Sequence, residues 1–211
     1  FPTLVKLIDA EQDLSVQVHP SDSYALKHEN SFGKTEMWYI VEADEGAGIY
    51  LGFNRDVTKE EYQTAIQENR LTELLNFYKV KAGECYFIPS GTIHAIAKGC
   101  LICEIQQNST LTYRVFDYGR GRELHVEKAL AVTTLKKHEN IALQGDLLAV
   151  NKYFTLFNTD KGFFYAAFAH THGLNLCTVK FNSGLIGFIN KVIMISLFVV
   201  GYQLHFFFFC H

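Results

Sequence analysis

The feature that most restricts this chain is a succession of short runs with β character, each closed by a turn signal. Leu14-Ser-Val-Gln-Val-His19 alternates apolar and polar residues and stops at Pro20, while Met37–Val41 and Gly48–Leu51 are β-branched and aromatic runs between turns. Tyr78–Val80, Glu84–Ile88, His94–Ala97, Leu101–Ile105 and Thr110–Phe116 continue the series, separated by Ala-Gly, Pro-Ser-Gly and Lys-Gly punctuation. The pattern predicts a β-sandwich or barrel. One segment departs from it: over Val57–Phe77 the apolar residues Tyr62, Ala65, Ile66, Leu71, Leu74 and Leu75 recur at helical spacing. Thr58 followed three residues later by Glu61 forms a capping box ahead of them, so a helix or two is expected there as an insertion.

With 211 residues, 48% of them hydrophobic and 19% charged, the chain can bury one full core or one core plus a partial second, which excludes wholesale disorder. A net charge of -3 gives no clustered positive footprint, so no nucleic-acid partner is expected. The five cysteines, at 85, 100, 103, 177 and 210, are odd in number and widely spaced, which fits reduced thiols in a cytoplasmic protein better than a secreted disulfide framework. The chain opens without Met on the interior-looking run Phe1-Pro-Thr-Leu-Val-Lys-Leu-Ile8, as a fragment of a longer protein would, and these first residues do not read as a leader.

Charge is distributed unevenly: residues 1–162 hold 39 of the 41 Asp, Glu, Lys and Arg, leaving only Lys180 and Lys191 beyond them. This sets a tail of a different character apart from the first 162 residues. A membrane helix is one reading of the apolar tail, yet Asn182, Asn190, Lys191, Gln203 and His205 interrupt it well below the roughly 20 apolar residues that a span requires. Buried strands, or sequence that is not native, are the other readings, and no function is placed in 163–211.

Four residues could converge on a metal. Gln17 and His19 are two apart on a strand and so share a face, with Val16 and Val18 on the other. Glu36 begins the next strand-like run after Gly33-Lys-Thr, and His94 lies where the turn Pro89-Ser-Gly-Thr-Ile feeds a strand. Two imidazoles, a carboxylate and a neutral oxygen donor suit Zn²⁺ or another first-row divalent ion with a position left for water or substrate. By spacing alone, His19 could equally be an ordinary strand histidine, one of nine in the chain, and Glu36 a solvated edge residue. Cys100 and Cys103 make half a zinc site, but no second pair follows, and on a strand they face opposite sides, so both are expected in the core. Gly119-Arg-Gly-Arg122 lacks the Lys-Ser/Thr of a phosphate loop and is expected to be a turn.

The strings Leu14-Ser-Val-Gln-Val-His-Pro20, Gly33-Lys-Thr-Glu-Met-Trp-Tyr39, Ile88-Pro-Ser-Gly-Thr-Ile-His-Ala95 and Gln106-Gln-Asn-Ser-Thr-Leu-Thr-Tyr-Arg114 resemble type I mannose-6-phosphate isomerases in their short bacterial form. The resemblance runs from Phe1 to about Leu135, and Tyr153–Phe157 looks like the start of the family's second, smaller β-domain, which implies a first domain over 1–150 and a partial second β-domain over 151–211. Family members begin further upstream, so strands and helices that precede Phe1 in them would be lacking.

The resemblance implies a cupin-type jelly-roll β-barrel with one Zn²⁺ per chain, held by Gln17, His19, Glu36 and His94, and a catalytic arginine at Arg114. It implies a sugar phosphate substrate, mannose 6-phosphate, interconverted with fructose 6-phosphate through an enediolate. Glu104 is a candidate for the proton transfer, zinc-bound water is another, and a salt bridge to Arg114 is the alternative role for Glu104. Lys34 would face the same pocket and hold the substrate phosphate, or else be a solvated turn lysine. A non-catalytic cupin module that binds sugar or metal, or an inactive fragment of the enzyme, is the competing reading, and a β-sandwich scaffold with a membrane-attached tail is a third.

Overall fold

The computed structural model describes residues 3–139, 142–143, 147–150, 153, 155–159, 163–170 and 173–180. The chain divides into two units between Ala142 and Leu143. In the first, nine strands form two antiparallel sheets: β1 (Thr3–Asp9), β2 (Val16–Val18), β3 (Glu36–Ala43), β4 (Gly48–Phe53), β5 (Leu75–Lys79), β6 (Cys85–Ile88), β7 (His94–Ile96), β8 (Cys100–Gln107) and β9 (Tyr113–Phe116). One sheet has the order β1-β8-β3-β6 and the other β5-β4-β7-β2-β9. Three helices accompany them, α1 (Asp22–His28), α2 (Lys59–Gln67) and α3 (Val126–Val132). This is the mainly antiparallel β architecture with a small helical insertion expected of a cupin-type jelly roll.

Strand alternation distributes the apolar residues over two cores. Val16, Val18, Ala95, Tyr113 and Val115 leave the five-stranded sheet on one face and pack against Tyr62 and Ile66 of α2 and Ala129 of α3. From its other face Ile49, Leu51 and Ile96 meet Trp38, Ile40 and Ile102 of the four-stranded sheet. Both faces of the five-stranded sheet are therefore covered, and polar side chains on its inner face must find partners inside the protein.

The capping box forms as read: Glu61 N–H donates to Thr58 Oγ1 at 3.1 Å, and Thr58 N–H to Glu61 Oε2 at 2.8 Å. The helical stretch ends earlier than expected, however. Asn69 takes a left-handed conformation (φ 57°), a 3₁₀ turn covers Leu71–Leu74, and β5 begins at Leu75, inside the range read as helix. Two helices were not read from the sequence. In α1, capped by Ser21, only Ala25 is buried, so there is no apolar stripe to see. In α3 no side chain caps the N-terminus, so there is no start signal. Residues 3–8 of the interior-looking run belong to strand β1, which is half-buried beyond Thr3.

In the second unit β10 (Leu147–Val150), β11 (Thr155–Thr159), β12 (Phe163–His170) and β13 (Gly173–Lys180) form an antiparallel sheet in sequence order. Residues 181–211, where the interrupted membrane helix was considered, lie outside the described residues. Among the described residues no helix is long and apolar enough to cross a membrane.

Candidate metal centre

The centre is built from two cross-strand rows that face each other. On the five-stranded sheet Leu51, His94, Gln17 and Arg114 stand opposite one another across β4, β7, β2 and β9. On the four-stranded sheet Lys6, Glu104, Trp38 and Tyr86 do the same across β1, β8, β3 and β6. Directly opposed residues share a face, so each row delivers its side chains together.

Two glycines seat the remaining donors. Gly91 (φ 87°) donates its N–H to the carbonyl of His19 at 2.8 Å, tying the end of β2 to the turn that leads into β7. Gly33 approaches the start of α1 so closely that a Cβ on it would lie 2.4 Å from the backbone nitrogen of Asp22. The next residue, Lys34, then donates its N–H to the carbonyl of Pro20 at 3.0 Å, which brings Glu36 in beside His19.

His19, Glu36 and His94 meet in the interior, all at or below 1% exposure, with one donor atom from each within 4.8 Å of the others. His19 Nδ1 donates to the carbonyl of Leu111 and His94 Nδ1 to that of Thr92, both at 2.8 Å. These bonds place the proton of each neutral ring on Nδ1 and leave the Nε2 lone pair facing inward. There Nε2 of His19 lies 3.4 Å from Glu36 Oε2, and Nε2 of His94 lies 3.2 Å from Glu36 Oε1. Neither approach is a hydrogen bond; His19 Nε2 and Glu36 Oε1 are buried without a hydrogen-bond partner, and Glu36 Oε2 is ion-paired with the Lys34 ammonium. Burial, with the Lys34 charge adding to it, brings the His19 pKa down to about 4, and burial lowers that of His94. Burial also opposes ionisation of Glu36, but the Lys34 ammonium and the two imidazoles hold its carboxyl well below the usual range.

Two neutral nitrogens and an ionised carboxylate thus bring lone pairs to a common point, where a cation would offset their mutual repulsion. The donor set fits a divalent metal ion. Gln17 sits beside it, with its side-chain amide 3.3 Å from His94 Nε2. Turning the amide over about its last bond brings the carbonyl oxygen to the same place.

Lys34 is buried at 4% exposure, so it is not a solvated turn residue. Its ammonium lies 2.9 Å from Glu36 Oε2 and 3.8 Å from Glu104 Oε1. Burial disfavours its charge, but Glu104 and Glu36 more than offset this and raise its pKa. Glu104 does not pair with Arg114: Lys6 Nζ donates to its Oε1 at 3.0 Å and Trp38 Nε1 to its Oε2 at 3.0 Å. Arg114 instead donates from Nε to Ser15 Oγ at 3.3 Å and from NH1 to the carbonyl of Glu123 at 3.1 Å. The loop beyond it is a turn, as expected, with Tyr118, Gly119 and Gly121 at positive φ and Asp117 gripped by Arg120 and Arg122. Cys100 and Cys103 are both buried, as the core reading requires.

Lys6 and Trp38 were missed in the sequence. The only available signals were a single cation inside the apolar run Leu4-Val-Lys-Leu-Ile8 and the sole tryptophan of the chain, placed two residues after Glu36.

Fold and site together define a β-barrel protein whose buried His–Glu–His cluster could hold a metal ion. No protein-family model matches the chain. Among curated proteins it is 52% identical over 139 residues to the mannose-6-phosphate isomerase of Bacillus subtilis, covering 63% of this chain and 44% of that one. It is 44% identical over 171 residues to the mannose-6-phosphate isomerase of Streptococcus mutans, covering 74% of this chain and 54% of that one. Among solved structures the Bacillus subtilis mannose 6-phosphate isomerase superimposes with a TM-score of 0.66 at 36% identity, over 85% of this chain and 56% of that one. The chain is therefore a relative of the bacterial mannose-6-phosphate isomerases, as its motifs implied, and spans about half the length of the curated relatives it matches.

Proposed function

We propose that this chain carries the catalytic domain of a zinc-dependent isomerase that interconverts mannose 6-phosphate and fructose 6-phosphate. The observation that carries this is the set of inward-facing donors: His19 Nε2 and Glu36 Oε1 are buried with no hydrogen bond, Glu36 Oε2 is ion-paired with Lys34, and His94 Nε2, beside the Gln17 amide, joins them. His19, Glu36, His94 and, through its carbonyl oxygen, Gln17 would hold one Zn²⁺. When bound, zinc would supply a Lewis acid that polarises substrate oxygens.

Aldose–ketose interconversion moves one proton between C2 and C1 and another between O2 and O1, with negative charge gathering on the enediolate oxygens in between. Arg114, on the same inner face as Gln17 and His94, stabilises that charge, a contribution of about 3 kcal/mol for a typical oxyanion donor. Glu104, a carboxylate on the opposite wall, handles the carbon-bound proton. Lys34 supplies a fixed positive charge for the phosphate. The charge balance supports an anionic substrate: Lys6 and Lys34 offset Glu36 and Glu104, so a divalent ion leaves the pocket positive and Arg114 makes it more so. The cytoplasm is the expected compartment.

The competing reading is a non-catalytic cupin module or inactive fragment with the same pocket. A coupled assay from mannose 6-phosphate to fructose 6-phosphate on the zinc-loaded chain separates the two. Turnover that disappears in Arg114→Ala supports the isomerase, and zinc-loaded protein without turnover supports the module.

A further inference from the structure

Trp38 joins the two rows that build the centre. It is 1% exposed, donates Nε1–H to Glu104 Oε2 at 3.0 Å, and meets the His94 ring edge to face with centroids 5.4 Å apart and planes at 80°. Lys6 Nζ holds the other oxygen, Oε1, of the same carboxylate at 3.0 Å. Donors on separate oxygens fix the carboxylate plane, whereas Lys6 alone, on a flexible stem, would let it swing. Filling the space between the sheets calls only for an aromatic ring, which Phe would provide, and the indole N–H is the additional feature. We infer that Trp38 is a positioning residue, whose N–H orients the Glu104 carboxylate while its ring braces His94, so that the proton-handling wall and the metal-binding wall keep one spacing.

The kinetic side of this inference rests on the isomerase reading, but its structural side does not. Because the chain has one tryptophan, replacing all tryptophan during expression alters position 38 alone. A benzothienyl analogue exchanges the N–H for sulfur at nearly constant shape, and 5-fluorotryptophan retains the N–H. The sulfur analogue should lower kcat by roughly 10- to 100-fold, as expected for losing a hydrogen bond to a charged group, with KM and zinc content little changed. The fluorinated protein should keep the unmodified kcat. A kcat within about twofold of the unmodified protein for the sulfur analogue, or an equal loss with 5-fluorotryptophan, overturns the inference.

The second readout needs no turnover. The single indole ¹H–¹⁵N resonance should lie downfield and exchange slowly, move upfield in Glu104→Gln, and shift when Zn²⁺ is added. A resonance indifferent to Glu104→Gln overturns the positioning role. Should the unmodified chain prove inactive, the isomerase reading fails and this resonance alone decides the inference; it also decides if the sulfur analogue does not fold.

Discussion

His19 and His94 are each tied through Nδ1 to a backbone carbonyl, which leaves the two Nε2 atoms and the Glu36 carboxylate as the inward-facing donors. Depressed histidine pKa values make metal-free stability pH-dependent. In the unfolded chain His19 takes up a proton near pH 6.5, whereas in the folded one burial delays this to about 4. The unfolded state therefore binds more protons between those values. The stabilisation is complete above pH 6.5 and lost as pH falls toward 4, with His94 contributing in the same direction. Urea titrations of the metal-free chain should show its midpoint falling across that window, and His19→Gln should flatten the fall; a midpoint that rises on acidification contradicts the assignment. The two-residue spacing of Gln17 and His19 was enough to predict a shared face. Burial of Lys34 and the partners of Glu104 were not legible, because they depend on which strand lies beside which, and an isolated Lys-Thr-Glu string is equally compatible with a solvated turn.

At the level of elements, the site depends on where β2, β3 and β7 begin and end. Gly33 sits against the backbone of Pro20, Ser21 and Asp22, within 2.5 Å of where a Cβ would be. Gly33→Ala should thus cost about 1–3 kcal/mol of stability and weaken zinc binding by shifting Lys34 and Glu36, as measured by denaturant unfolding and by competition with a chelator. Thr58→Ala is the contrasting case. It removes the capping box of α2, which lies behind the five-stranded sheet, and should cost about 1 kcal/mol while leaving zinc affinity unchanged. Strands and the α2 cap were readable because both leave periodic or spaced signatures. Helix α1 buries one residue and α3 lacks a side-chain cap, so neither leaves one. Leu71, Leu74 and Leu75 continue a helical spacing although Asn69 has already ended the helix, which is why the boundary was placed too late.

Across the whole molecule, the two sheets of the first unit meet at a cluster of buried donor atoms that protein hydrogen bonds leave incompletely satisfied, so metal binding and folding should be linked. Zinc at a hundred times its dissociation constant should add about 2.7 kcal/mol to stability, and a chelator should lower Tm correspondingly. A chain whose Tm ignores both has no metal at this junction. The most direct test is the zinc content of the purified chain beside that of folded His94→Ala, determined by elemental analysis after removal of loosely bound metal. The account predicts about one zinc per chain for the unaltered protein and next to none for the variant. Equal zinc in both, or none in either after exposure to the metal, would contradict it.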